Sequence, residues 1–158
     1  MQQRPLSHND NLKINLQYRV RKENEWLIWT EDNKFGLYDS EQDTVSIGLN
    51  WFSGNKHEIR LKSQFVALQA DNPQSLISDS DGYLYESDDL IKPFTQGVVS
   101  FQVRYKYEIA PLSYLYLVYS KGGTSYDEDE DYSKSEIFNQ PWNNPSDEVY
   151  SIKFRLKY

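Results

Sequence analysis

Apolar and polar residues alternate over four long stretches of this chain. Strict alternation is typical of β-strands that bury one face, because successive side chains point to opposite sides of the strand. The apolar positions are Leu12, Ile14, Leu16, Tyr18 and Val20; Val45, Ile47, Leu49 and Trp51; Val99, Phe101, Val103, Tyr105, Tyr107 and Ile109; and Tyr150, Ile152, Phe154, Leu156 and Tyr158. Helical periodicity is nearly absent, so the pattern predicts an all-β protein.

Three further segments alternate less regularly. Residues 26–38 are interrupted by EDNK, which predicts either one bulged strand or a small hairpin. Residues 57–69 carry Ser63 on their apolar face, and residues 113–120 are apolar on both faces. The chain is therefore predicted to hold seven strands, at about 12–21, 26–38, 44–52, 57–69, 98–109, 113–120 and 149–158.

The predicted connections alternate between short and long. The short ones are KENE (22–25), SGNK (53–56) and APL (110–112), and the longer, acidic ones are DSEQD (39–43), 70–97 and 121–148. An up-and-down meander places every short turn on one side, as in outer-membrane barrels, which have short periplasmic turns and longer extracellular loops. The sequence thus predicts an antiparallel meander of about seven strands that forms the C-terminal part of a transmembrane outer-membrane β-barrel.

Seven strands would not complete such a barrel. Single-chain bacterial barrels have even strand numbers, and a bilayer does not tolerate unpaired sheet edges. The first ten residues also lack the apolar stretch of a signal peptide. We therefore expect earlier strands to be missing and Met1 to be an internal or artificial start. The expected organisation is an N-terminal stub, 1–10, followed by a C-terminal β-barrel segment, 11–158.

The net charge of −7 is concentrated in two predicted loops. Residues 70–96 hold six acids and one base, and residues 121–148 hold eight acids and two bases. Elsewhere the chain is mildly basic, with cations spread singly along the strands, which does not favour nucleic-acid binding. The chain has no cysteine and no apolar run long enough for a membrane helix.

The polar positions of the strands carry several charged residues. An arginine or lysine that faces lipid at mid-depth costs roughly 2–4 kcal/mol, so these side chains are expected to face a barrel lumen. The lumen-facing candidates are Arg19, Arg21, Arg104, Lys106, Glu108, Lys153 and Arg155. Such a lumen would attract anionic or polar solutes. The alternatives are a plugging network of ion pairs with acids such as Glu58 and Glu108, or the solvated face of a soluble sandwich.

Aromatic residues near the strand ends of the apolar face suggest an interfacial belt. Transmembrane barrels carry aromatic girdles at both membrane interfaces. The belt candidates are Trp51, Tyr105, Tyr107, Tyr150 and Tyr158. The alternative is that these rings form the core of a sandwich, since both arrangements use the same alternation.

No motif predicts catalysis, a cofactor or a metal. His57-Glu58 lacks the second histidine and the helix of a zinc protease motif, so a polar pair near Arg60 is the expected interpretation. The stretch from Asp79 to Asp89 is acidic but has the wrong spacing for an EF-hand. A solvated loop is expected there, and the alternative is divalent-cation binding by this stretch or by residues 127–131.

Several motifs resemble a known family. They are Asn50-Trp51-Phe52, His57-Glu58-x-Arg60-x-Lys62, Arg104-Tyr105-x-Tyr107-Glu108, the Ala110–Ser113 turn and the Tyr119–Gly123 strand exit. In this order they resemble the C-terminal barrel of the domain of unknown function 5916 family, over residues 26–158. Proteins of that family carry an N-terminal domain like the family-9 carbohydrate-binding modules. The resemblance implies a location in the outer membrane of a Gram-negative bacterium and a role in handling glycans.

The sequence therefore predicts a non-enzymatic outer-membrane barrel segment that serves glycan binding or passage in a full-length protein. The expected partners are outer-membrane lipid, the barrel-assembly machinery, the missing strands and carbohydrate-module-like domain, and glycans, with no nucleic acid. Two alternatives remain. One is a soluble antiparallel barrel or sandwich that acts as a binding module in the periplasm or extracellular space. The other is a glycan-acting enzyme, which only the resemblance suggests.

Overall fold

The computed structural model describes residues 6–7, 11–128 and 132–157. These residues form one antiparallel sheet of eight strands and one helix. The elements are β1 (Leu6–Ser7), β2 (Leu12–Glu31), β3 (Lys34–Ser53), β4 (His57–Ser78), β5 (Leu84–Glu86), β6 (Phe94–Ala110), β7 (Ser113–Glu128), α1 (Lys134–Asn143) and β8 (Asp147–Arg155).

Seven of the strands follow one another in the order β1-β2-β3-β4-β6-β7-β8, and the short β5 pairs at the side with β4. This arrangement confirms the predicted all-β class and the antiparallel meander of about seven strands. Strand β1 falls within the segment 1–10 that was predicted to be a stub. Within the described residues β8 pairs only with β7, so the sheet is open between β8 and its opposite edge.

The first hairpin differs from the predicted strand boundaries. Of the two interpretations of residues 26–38, the hairpin is the correct one, because β2 ends at Glu31 and β3 begins at Lys34. The turn lies at Asp32, whose φ of 44° is in the left-handed region, where aspartate is tolerated better than most residues. The polar interruption of the alternation therefore marks the turn itself.

Two predicted connections are wrong. KENE (22–25) lies inside β2 as an irregularity between Glu23 and Trp26, with Glu25 at a φ of 57°. DSEQD (39–43) lies inside β3 and is paired on both sides. These polar runs remain in the sheet because their charges find partners across it, such as Lys22 with Glu41 at 2.7 Å.

The remaining connections separate by length between the two ends of the sheet. At the lower end, residues 54–56 and 111–112 are tight turns. At the upper end lie the two-residue turn after β2, the connection 79–93 and the connection 129–146, which contains α1. The strict alternation of short and long connections is therefore wrong, although both long connections do lie at one end. The helix was not predicted.

The sheet has two chemically distinct faces. Cross-strand register places the alternating apolar residues of β2, β3, β4, β6, β7 and β8 together on one side, which we call the apolar face. The opposite side, the cationic face, carries all seven residues predicted to face a lumen. Towards the upper end the cationic face becomes aromatic, with the ring of Phe94 5.2 Å from Tyr38 and 5.3 Å from Tyr126.

Helix α1 packs on the upper part of the apolar face and forms the most buried part of the molecule. Ile137 is fully buried there, and Val99 of the sheet is 2% exposed. The helix begins with a capping box, in which Ser133 and Glu136 satisfy each other's backbone N–H groups. Its close approach depends on Gly97 and Gly123, because a Cβ at either position would collide with the helix backbone.

Candidate functional site

Below the helix the apolar face is open. Leu16 is 64% exposed, Ile152 67% and Phe154 62%. Large apolar residues on a folded protein normally form only small exposed patches, and a larger patch marks a surface that contacts membrane, ligand or another protein. This open band is one of two candidate functional surfaces of the sheet. It comprises the alternate positions of Leu12–Val20, Val45–Trp51, Ile59–Phe65, Phe101–Tyr107, Leu115–Tyr119 and Tyr150–Leu156.

Three belt candidates lie at the lower edge of this band. Trp51 pairs with Ile59, which pairs in turn with Tyr105, so all three lie in one cross-strand row. Tyr107 lies next to them, with its ring 4.9 Å from that of His57. The Nδ1 atom of His57 is 2.7 Å from the Tyr105 hydroxyl. Rings with a polar tip therefore line this edge, where apolar and polar surroundings meet.

A fourth belt candidate lies at the upper edge of the band. The ring of Tyr150 lies 4.8 Å from that of Tyr119, and both hydroxyls donate hydrogen bonds to Glu148. The fifth candidate, Tyr158, lies outside the described residues. The four described candidates thus occupy both edges of one face.

Helix α1 bounds the band from above. The ring of Trp142 lies 5.9 Å from Phe65 and 5.4 Å from Phe101, and Lys121 places its ammonium 4.6 Å above that indole. Charged residues appear on the apolar face from this level upwards. No helix within the described residues is long and apolar enough to cross a membrane.

The start of the helix is attached to the sheet by ion pairs at the top of the band. The ammonium of Lys134 contacts Glu41 and lies 2.5 Å from Asp43, a carboxylate that is 1% exposed and also accepts the Tyr18 hydroxyl. Hydrogen bonds to Asp43 and then to Glu41 raise the pKa of Lys134. The bonds from Lys134 and Lys22 lower the pKa of Glu41. The two ion pairs thus attach the start of α1 to β3.

The second candidate surface is a charged cluster in the lower half of the cationic face. Its centre is Glu58, which is 9% exposed. Arg60 contacts this carboxylate directly, while Arg104 lies 3.6 Å and Lys106 3.7 Å from it. Lys106 also lies 4.3 Å above the ring of Tyr114. We call Glu58, Arg60, Arg104 and Lys106 the Glu58 cluster.

The structure brings only some of the predicted cations to this cluster. Arg104 and Lys106 belong to it, and Lys153 lies next to Lys106 because both flank Tyr116. Arg155 pairs with Tyr114 in the same region, as does Glu108. Arg19 and Arg21 share the face but lie further up β2, where Arg21 pairs with Glu23 at 2.5 Å.

Glu58 and Arg60 were not among the predicted site residues, although the structure places them at the centre of the cluster. The usable signal was their position in the alternation, because Glu58, Arg60 and Lys62 share one face of β4. His57 lies on the other face, so His57 and Glu58 do not act together. Among the described residues no group of three or more histidines or acids could hold a metal ion.

A groove of about 460 Å³ lies beside the Glu58 cluster. Its floor contains the small residues Ser46, Gly48 and Ser100, and polar side chains surround it. These are Asn15, Lys62, Gln64 and Gln102. The groove therefore offers amide, hydroxyl and ammonium groups next to a concentration of positive charge.

Comparisons with protein-family models, curated proteins and solved structures find no match to this chain. Its function is therefore argued from these two surfaces.

Proposed function

We propose that this chain is a segment of an outer-membrane β-barrel whose apolar face contacts lipid and whose cationic face lines the lumen. The observation that carries the proposal is the exposed apolar band with aromatic residues at both of its edges. On β2 the band runs from Leu12 to Val20, eight residue steps. At about 3.3 Å per residue and a tilt near 40°, this gives a height of about 20 Å, close to the ~25 Å apolar band of known barrels.

The opposite face supports the same proposal. Lys106, Arg104 and Glu58 would each be costly in hydrocarbon, and all lie on the side away from the apolar band. The open edges of the sheet would be closed by further strands of a longer protein, because unpaired backbone groups are not tolerated in lipid. In that protein the lumen would bind or pass polar solutes, glycans among them, and the segment itself would catalyse no reaction.

The test uses the absence of native cysteines. Single cysteines replace Leu16 and Ile152 on the apolar face, and Asn15 and Ser151 on the cationic face. Each is labelled with an environment-sensitive fluorophore after reconstitution in phosphatidylcholine vesicles. We expect labels at Leu16 and Ile152 to emit at shorter wavelength and to resist iodide quenching. Labels at Asn15 and Ser151 should be quenched, and equal quenching within each neighbouring pair would refute the proposal.

A second candidate is a soluble binding module, and helix α1 is the observation that favours it. The helix covers Val99 and Phe65 on the apolar face, as the first layer of a soluble core would. Sedimentation in buffer without detergent separates the two candidates. A monomer that unfolds in one cooperative transition would support the soluble module, whereas aggregation that detergent reverses would support the membrane segment.

A further inference from the structure

We infer that the Glu58 cluster and the adjoining groove bind a hydroxylated organic anion, with its acid group at the cations and its hydroxyl groups in the groove. This inference rests on the proposed function for its setting in a lumen. It adds the class of solute, which the fold alone does not indicate.

The first argument is the charge balance. Seven cations share the lower half of the cationic face, against the two carboxylates Glu58 and Glu108. The seven are Lys13, Arg60, Lys62, Arg104, Lys106, Lys153 and Arg155. Within the described residues Glu108 makes no ion pair, whereas Glu58 serves three cations at once. The ion pairs therefore leave positive charge uncompensated.

The second argument is the placement of the two arginines. Arg60 and Arg104 are directly opposite each other on neighbouring antiparallel strands. Like charges in such a pair are unfavourable, and a single carboxylate beside them offsets only part of the repulsion. A bound oxyanion would relieve the rest, and guanidinium groups recognise carboxylate and phosphate with paired hydrogen bonds.

The third argument is that donors remain available. Arg104 has no partner within the described residues closer than the 3.6 Å contact to Glu58. Its guanidinium carries five N–H donors, and its side chain is 37% exposed. The ammonium of Lys106 lies above the ring of Tyr114, and its contact with Glu58 is a long one of 3.7 Å. These groups are positioned but accessible.

The groove explains why the ligand should carry hydroxyl groups. Gln102 and Lys62 are the next residues on the cationic face of β6 and β4 after Arg104 and Arg60, so the groove begins where the cluster ends. Gly48 lies in the same cross-strand row and contributes no side chain to the floor. The volume of the groove falls in the range of small-molecule sites. Its side-chain amides can both donate hydrogen bonds to hydroxyl groups and accept hydrogen bonds from them.

The experiment measures equilibrium binding to the refolded full chain in detergent micelles by calorimetry. The probes are glucose 6-phosphate, gluconate, glucose and inorganic phosphate. We expect saturable binding of at least one of the two hydroxylated anions, and whichever is tighter assigns phosphate or carboxylate. Glucose and inorganic phosphate should each bind at least about tenfold more weakly. Glucose lacks the acid group that the cations bind, and inorganic phosphate lacks the hydroxylated chain that the groove binds.

Variants locate the site. Arg104→Gln and Lys106→Gln should each weaken binding of the preferred anion by about tenfold or more, as expected for loss of a charge-assisted hydrogen bond. Arg19→Gln, on the same face but outside the cluster, should leave binding unchanged. Circular dichroism of each variant checks that the sheet is retained.

Three results would overturn the inference. They are no saturable binding of either hydroxylated anion, equal binding of glucose, and equal loss in Arg104→Gln and Arg19→Gln. Equal binding of inorganic phosphate would overturn the role of the groove. Because this assay needs no bilayer, its failure is distinguishable from failure of the lipid-facing proposal, which the fluorophore labels test separately.

Discussion

Leu16 offers a sharp test of which surroundings the apolar face requires. It lies on β2 four residues from Leu12 and four from Val20, at the middle of the apolar band. That distance corresponds to a depth of about 10 Å from either edge, for 3.3 Å per residue and a tilt near 40°. The side chain is 64% exposed, so its substitution removes little buried packing. The effect of a charge there therefore depends almost entirely on the medium.

We predict that Leu16→Arg lowers the free energy of unfolding by about 2–4 kcal/mol when the protein is folded into lipid vesicles. A substitution at a water-exposed position would change it by no more than about 0.5 kcal/mol. Asn15→Arg is the matched control, since Asn15 is the preceding residue on the same strand and lies on the cationic face.

The assay is guanidinium unfolding in vesicles, followed by tryptophan fluorescence, with the slope of the transition compared between variants. An unchanged slope shows that the midpoint shift reports stability. If Leu16→Arg and Asn15→Arg differ by less than about 0.5 kcal/mol, the argument that the apolar face contacts lipid is refuted.

Two further predictions concern the contacts of helix α1. Gly97→Ala places a methyl group against the helix backbone and should cost about 1–3 kcal/mol in vesicle unfolding, whereas Gly48→Ala, whose Cβ would lie 3.7 Å from its nearest neighbour, should cost less than about 1 kcal/mol; equal costs would contradict the packing of the helix. Lys134→Met leaves Asp43 buried without its cation and should cost roughly 1–3 kcal/mol, against less than about 1 kcal/mol for the exposed Lys22→Met. Because the pKa of Glu41 is lowered in the folded state, its contribution to the free energy of unfolding is present above the ordinary value of 4.5 and is lost as pH falls through the folded pKa. The difference in free energy of unfolding between the wild-type protein and Lys134→Met should therefore shrink below pH 4.5. A difference that stays constant down to pH 3 would contradict the role of this pair.

The fold class followed from the sequence because alternation is strongest where one face of a strand is apolar. The clean stretches around Leu16, Phe101 and Ile152 all lie in the open band. Strand lengths did not follow, since KENE and DSEQD have turn-like composition. Their place in the sheet depends on ion pairs across strands, such as Lys22 with Glu41, which no local pattern contains.

Helix α1 was missed because it is short and contains Pro141, and its apolar residues are few. Ser133 followed by Glu136 was the available signal, since that spacing is the sequence signature of a capping box. Gly97 and Gly123 inside strands were a second signal, because glycine in a strand often marks the close approach of another backbone. The sequence did not indicate that helix α1 is the element that approaches these two glycines.

The six cations and one acid that were predicted to face a lumen lie on one face of the sheet. Their clustering was not predictable, because it depends on which residues lie opposite each other. Arg60 faces Arg104 only in the particular register in which β4 pairs with β6. Residue type and alternation identify a face, whereas register determines a site.

The great length of β4 has a consequence for the acidic loop that follows it. The strand continues thirteen residues beyond Phe65, the top of the apolar band, before it ends at Ser78. At 3.3 Å per residue and a tilt near 40°, the tip of that loop, at Asp79 and Asp81, stands about 33 Å above the band. Electrostatic screening at physiological salt acts over about 8 Å, a quarter of that height. The negative charge of the loop is therefore screened from the apolar band. It acts instead on molecules that approach the loop from above.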